Sequence, residues 1–337
     1  MARAGKAPAD PWTVTNGEFA LGLIQRASSR LVDLQSEVVA NRDPEPLHQM
    51  RVAMRRLRTA LRQFAPALVL PEAVRDQRIA RVARRLGLAR DLDVLRAHLE
   101  ANVLPKLPEG ECQQLQPVLR QLQRERHNSQ AQVEKTLRSG TYLNLLAQLQ
   151  RWQKAPQFTA LGQRPLRQWL IEWQAPELVT IFQHPGWSVL EPDGAVEDVH
   201  DLRKRCKHAR YALENLLPQT GRRCRRWAGC FRGLQELLGE LHDLEVLRQA
   251  IDDQLPAGSL ADLPRLAALL EQDAQRCWQR WRLEALELQR PRCRRQLWQD
   301  LLRESDPGGM GPWRFLGPLT RSGGAALNPL GRILSRS

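Results

Sequence analysis

HQMRVAMRRLR at residues 48–58 and HDLRKRCKHAR at residues 200–210 each place cations three, seven and ten positions after a histidine. His48 pairs with His200, Arg51 with Arg203, Arg55 with Lys207 and Arg58 with Arg210. A second pair of segments follows. LGLARDLDVLR at 86–96 and LGELHDLEVLR at 238–248 align Gly87 with Gly239, Asp91 with Asp243, and Val94-Leu95-Arg96 with Val246-Leu247-Arg248. Both pairs are separated by 152 residues, 48 to 200 and 86 to 238. Two motifs that keep one offset point to a duplication of one unit of about 150 residues.

Outside the motifs, apolar spacings of three and four dominate and β-branched runs are absent, so the expected class is all-α. Helices are expected near 16–41, from 45 to about 64, and over 72–102, 110–138, 165–183, 195–216, 219–254, 262–288 and 291–304. The chain divides into a flexible start at 1–14, one helical repeat at 15–155, a second at 156–304, and a Gly/Pro-rich tail at 305–337 that reads as disordered or a linker.

The 337 residues carry a formal net charge of +14, and only six of the 51 basic residues are lysine. A positive field of this strength attracts polyanions, and the forked guanidinium suits phosphate oxygens. No apolar N-terminal core marks a signal peptide, and no uncharged run of 18 residues marks a membrane span. The six cysteines include no C-x-x-C pair, so reduced thiols and a cytoplasmic setting are expected, with no metal and no cofactor.

At about 100° per residue, His48, Arg51, Arg55 and Arg58 fall within about 80° of one another. Leu47, Met50, Met54, Leu57, Leu61 and Phe64 take the opposite side. In the second copy Val199, Leu202, Cys206, Ala209, Leu213 and Leu216 do the same. Each helix therefore presents a cationic row about 15 Å long. A solvated face usually mixes signs, because i,i+4 acid–base pairs help a helix and like charges strain it. This row is almost purely positive, and it recurs where its neighbours have drifted. Two such rows from two half-domains suit a ligand with many evenly spaced negative charges. Asp91 and Asp243 read either as orienting groups behind a basic side chain or the histidine, or as ordinary salt bridges. Gly87 and Gly239 in mid-helix imply close helix–helix approach.

These residues resemble the CHAD family, the conserved histidine α-helical domain. The resemblance rests on H-x-x-R-V-x-x-R-R-x-R at 48–58, H-x-x-R-K-x-x-K-x-x-R-Y at 200–211 and L-G-x-x-R-D-x-D-V-L at 86–95, and spans roughly 15–290. It implies two antiparallel four-helix bundles related by a pseudo-twofold axis, with a basic channel between them. It also implies binding of inorganic polyphosphate, in some members with granule association and granule-associated protein partners. Carried over by motif, the ligand contacts are His48, Arg51, Arg55, Arg58, His200, Arg203, Lys207 and Arg210. Arg56, Lys204, Arg81, Arg85 and Arg226 extend the basic surface. His242 stands where the first copy has Arg90, which departs from the motif. No E-x-E-x-K triphosphate motif of a CYTH domain is present, so a stand-alone member is expected.

Two rival readings remain. His200-Asp201 and His242-Asp243 superficially suit a metal-dependent phosphohydrolase. Asp201 aligns with Gln49 and His242 with Arg90, however, so neither dipeptide is kept between copies. The net charge also allows non-specific nucleic-acid binding. The tryptophans fall mostly on helices away from the rows, where core packing explains them. A non-enzymatic polyphosphate binder is the expectation.

Overall fold

The computed structural model describes residues 14–74, 76–191, 194–254, 260 and 262–305. The expected loose start and tail, Val14 and Ser305 apart, lie outside the described residues. The described chain is all-α apart from one antiparallel pair of two-residue strands, β1 (Leu68–Val69) and β2 (Gln157–Phe158).

α1 (Asn16–Asp33) opens on a capping box in which Thr15 and Glu18 satisfy each other's backbone amides. The helix expected over 16–41 is broken at Leu34, and α2 (Gln35–Ala40) ends on Asn41 in the left-handed region, φ 47°. α3 (Glu45–Gln63) carries Pro46 in its first turn and buries Leu47, Met50, Met54, Leu57 and Leu61. α4 (Asp76–His98) runs into a π-helical turn at Leu99–Val103. The helix expected over 110–138 is interrupted at Leu115, giving α5 (Glu109–Gln114) and α6 (Gln116–Leu137).

α7 (Gly140–Lys154) was not expected. Ser139-Gly140 reads as a stop for α6, but the Ser139 hydroxyl accepts from the Tyr142 amide and starts a new helix. α7 buries Tyr142, Leu145, Leu149 and Trp152 at helical spacing. α8 (Leu170–Phe182), α9 (Val196–Leu216), α10 (Arg222–Gln254), α11 (Pro264–Gln289) and α12 (Pro291–Ser305) follow the expected spans closely.

Three apolar clusters hold these helices. The first joins α1, α3, α4 and α7 with the start of α8 through Trp173, beyond residue 155. The second joins α8 to α12 around Phe231 and Trp281. The third packs Leu95, Leu99 and Val118 against Leu247, Ile251 and Leu266, and so fastens the two halves to each other. The Glu111 carboxylate on α5 also accepts the Arg265 and Leu266 amides at 3.0 and 2.8 Å, capping α11 from the other half. With the halves fastened in this way, α3 lies beside α9. Gln63 on α3 bonds the Ala212 carbonyl at 3.1 Å and accepts from Asn215 at 2.9 Å.

Candidate functional site

The buried face of α3 turns its cations outward, and each meets a different partner. Arg51 reaches across to α4, where it donates to the Gly87 carbonyl and pairs with Asp91 at 3.1 Å. Asp91 is 67% exposed, so this pair adds about 1 kcal/mol or less; its effect is to aim the guanidinium. A Cβ on Gly87 would stand 3.2 Å from Arg51 Nη1. The glycine makes room for a side chain, not for a neighbouring helix backbone. Around Gly239 nothing lies within 4 Å of such a Cβ, so the expected close helix–helix approach is absent at both glycines. Arg55 donates to the Tyr211 hydroxyl at 2.8 Å, joining α3 to α9. Arg58 forms a two-pronged pair with Asp76, at 2.8 and 3.1 Å.

On α9 the same positions behave differently. His200 lies against His242, with ring centroids 5.0 Å apart. Arg203 leaves its buried Nε without a hydrogen-bond partner, although Asp243 and Asp91 lie close enough to act on its charge. Asp91 thus holds Arg51 directly, whereas Asp243 makes no bond to Arg203. Burial raises the Asp243 carboxyl, with Arg203 opposing. Arg210 is taken up by Glu214 at 2.9 Å and Gln235 at 3.2 Å, and stacks over Tyr211.

The two helices and α4 enclose a groove of about 780 Å³. From α3 come Arg51, Arg55, Arg58 and Arg62; from α4, Arg84, Arg85 and Asp91; from α9, Lys204, Lys207, His208 and Tyr211. Asp91 is its one acid. A cleft lined by one sign of charge focuses its field outward. Arg55, Arg84, Arg85, Lys204 and Lys207 make no ion pair among the described residues. Arg62, Arg84 and His208 were not expected there, although each carries a signal: Arg62 follows Arg58 by four positions, His208 follows Lys204 by four, and Arg84 adjoins Arg85.

The full rows do not share this groove. His48 lines a second cavity of about 640 Å³ with Arg26, Arg30 and Arg56, in which Glu45 and Glu214 temper the charge. Tyr211 lines both cavities. His200 and Arg203 line a third, of about 120 Å³, walled by Leu238, Leu241 and Trp278. Arg81 is exposed on α4 and lines none of the three. Arg226 belongs elsewhere: it pairs with Asp300 on α12 at 2.9 Å and stacks over Trp227, so it does not extend this surface.

Burial and then crowded positive charge lower Lys207 and four histidines here. Burial, then Arg55 and Arg203, brings the Lys207 amine down to about 7. Burial and Arg90 lower His48; burial with Lys204 and Arg203 lowers His200. His242 and His208 fall to about 4, first through burial and then through Arg203 and Arg62 respectively. These imidazoles are neutral near pH 7, and an arriving anion favours their protonation.

Other features sort away from the groove. Asp201 accepts from His184 at 3.0 Å and from Arg205 at 3.3 Å, so it is bonded away from His200. Among the described residues no group of three or more His, Cys, Asp or Glu is placed to hold a metal ion. Trp152, Trp173, Trp227, Trp278 and Trp281 are buried in the clusters. No described helix is long and apolar enough to cross a membrane.

Comparison with known proteins bears on the fold and the family. Two solved structures share the fold: the CHAD domain from the plant Ricinus communis and PptA from Streptomyces chartreusis. The first is 23% identical, with a TM-score of 0.57, over 88% of this chain and 97% of that one. The second is 16% identical, with a TM-score of 0.56, over 85% and 99%. No curated protein matches the sequence. The CHAD domain family model matches residues 22–252, which take in both basic helices and both L-G motifs, and the chain belongs to the CHAD domain family.

Proposed function

We propose that this chain binds inorganic polyphosphate without catalysis, holding it in the groove between α3, α4 and α9. The observation that carries this reading is the groove itself: its one lining acid is spent on Arg51, and five of its lining cations, Arg55, Arg84, Arg85, Lys204 and Lys207, make no ion pair among the described residues. Planar forks at successive turns suit a linear anion whose phosphates repeat, and each contact to a charged oxygen contributes about 1.5–3 kcal/mol. His48 starts the α3 row in a cavity that shares Tyr211 with the groove, and it extends the path once protonated. His200 starts the α9 row beside Arg203 in the smallest of the three cavities. Binding of this kind would carry the protein to polyphosphate or storage granules and present it to proteins there.

The test is a competition titration at near-physiological salt. Labelled long-chain polyphosphate is displaced by tripolyphosphate, heparin, and single-stranded and duplex nucleic acid. Wild type is compared with an Arg51/Arg55/Lys204/Lys207 alanine variant. The expected outcome is selective retention of polyphosphate, lost in the variant. Equal displacement by every polyanion, indifferent to the variant, would leave a non-specific basic surface and favour nucleic acid.

A further inference from the structure

The strong cations that line the groove from α3 and α4 are all arginine, which keeps its charge at any attainable pH. Lys207 differs from them, and it differs from the other described lysines too. Lys106, Lys135, Lys154 and Lys204 are exposed, whereas Lys207 is half-buried in the groove wall. Arg51 and Arg55 press on it from α3, and Arg203 and Lys204 from its own helix. Asp91 on α4 is the groove's acid, and it is paired with Arg51; no carboxylate is paired with Lys207 among the described residues. Burial first, and then confinement among like charges, favour the free amine over the ammonium, and at about 7 a large fraction of Lys207 is unprotonated at neutral pH.

A free amine at the wall of a phosphate-attracting groove is a placed nucleophile. The cations around it would hold a phosphoryl group, and a small acyl phosphate joins such a group to an electrophilic carbonyl. We propose that Lys207 is an acylation site for small acyl phosphates, and that its acylation weakens polyanion binding in the same groove. The lone pair on Nζ attacks the carbonyl carbon. The bond from that carbon to the phosphate oxygen breaks, and its electron pair leaves with orthophosphate. The nitrogen gives one proton to the departing phosphate or to water, and an uncharged amide remains. Nothing is oxidised or reduced. The inference rests on the groove's taking phosphate, as proposed above.

Relative to an ordinary lysine, an amine titrating near 7 has a free fraction on the order of 10²–10³ higher at neutral pH. Its lower basicity takes back about 10- to 50-fold, by the dependence known for thiols. A net preference of about tenfold over Lys204, three residues away, is therefore the expected reading.

The full chain is incubated at pH 7.5 with acetyl phosphate, and separately with a neutral acetylating ester. Site occupancy is followed by peptide mass spectrometry, with and without excess polyphosphate, and polyphosphate affinity is titrated in parallel. The expected result is that Lys207 is acetylated about tenfold faster than Lys204 by acetyl phosphate, that polyphosphate blocks this, and that the acetylated protein binds polyphosphate several-fold more weakly. If polyphosphate binds normally but Lys207 reacts no faster than Lys204 with either reagent, the acylation site is overturned and the binding reading stands. If Lys207 reacts with the ester but not with acetyl phosphate, and polyphosphate neither binds nor protects, phosphate recognition fails and the inference falls with it.

Discussion

α3 and α9 carry the same row of positions 152 residues apart, yet they hold their charges in different ways. On α3 the arginines are aimed: Arg51 by Asp91 and the Gly87 carbonyl, Arg58 by Asp76, Arg55 by Tyr211. On α9 the matching groups are crowded and desolvated. Arg203 has an unbonded buried Nε, Lys207 is pushed down to about 7, and only Arg210 has a close carboxylate. One row is preorganised; the other is held in an unfavourable electrostatic state that an anion relieves. The difference teaches that a kept residue pattern does not fix what each residue does, because the partners come from other helices.

The largest expected effect separates the two rows. Replacing Arg51 and Arg55 by alanine removes two aimed, permanently charged forks. At about 1.5–3 kcal/mol each, polyphosphate affinity should drop by roughly 100-fold or more, and the salt dependence should flatten by about 1.5 to 2 units of slope. Replacing Lys204 and Lys207 by alanine should cost less, about tenfold, because Lys207 is only partly charged before the anion arrives. Titrations of both double variants across a salt series check this. Equal losses would erase the distinction between an aimed row and a crowded one.

A pH profile sharpens the same comparison with a smaller effect. The free-state amine of Lys207 lies near 7, and a bound polyanion raises it. Binding therefore takes up a proton. The extra affinity is fully present below about 7 and is lost as pH rises from the free value through the higher bound value, by at most tenfold per pH unit for one group. His48 and His200, lowered from their ordinary value, add a further rise on the acid side. The groups facing Lys207 from α3 are arginines and do not titrate in this range. Lys207→Arg should flatten the limb above pH 7 and leave the acid limb in place. A limb that survives in Lys207→Arg would assign the proton elsewhere.

How far the sequence carries this site follows from the kind of signal each part leaves. The two basic helices were legible because Leu47, Met50, Met54 and Leu57 repeat at the helical period and bury, as do Leu202, Cys206, Ala209 and Leu213. The CHAD resemblance was legible because two motifs kept one offset. The division of the rows among three cavities was not. Nor was the pairing of Arg58, Arg210 and Arg226 with Asp76, Glu214 and Asp300, two of which pairs join different helices. No spacing rule records which acid meets which arginine across a helix interface. α7 was hidden for a local reason: one Ser-Gly pair both ends α6 and caps the next helix.

The smallest expected effect tests the two glycines, which the sequence presents as equivalent. Alanine at either position gains helix propensity of up to about 1 kcal/mol. At Gly239 the new methyl meets open space, so Gly239→Ala should raise the melting temperature and leave polyphosphate affinity unchanged. At Gly87 it stands 3.2 Å from Arg51 Nη1, and the guanidinium must shift by a few tenths of an ångström. That movement loosens its bonds to the Gly87 carbonyl and Asp91, so affinity should fall a few-fold while the fold is kept. Thermal melts and titrations of the two variants side by side decide the matter. A matched loss of affinity would mean that Gly239 also positions a ligand contact; no loss in either would mean that Arg51 reaches the anion without being aimed.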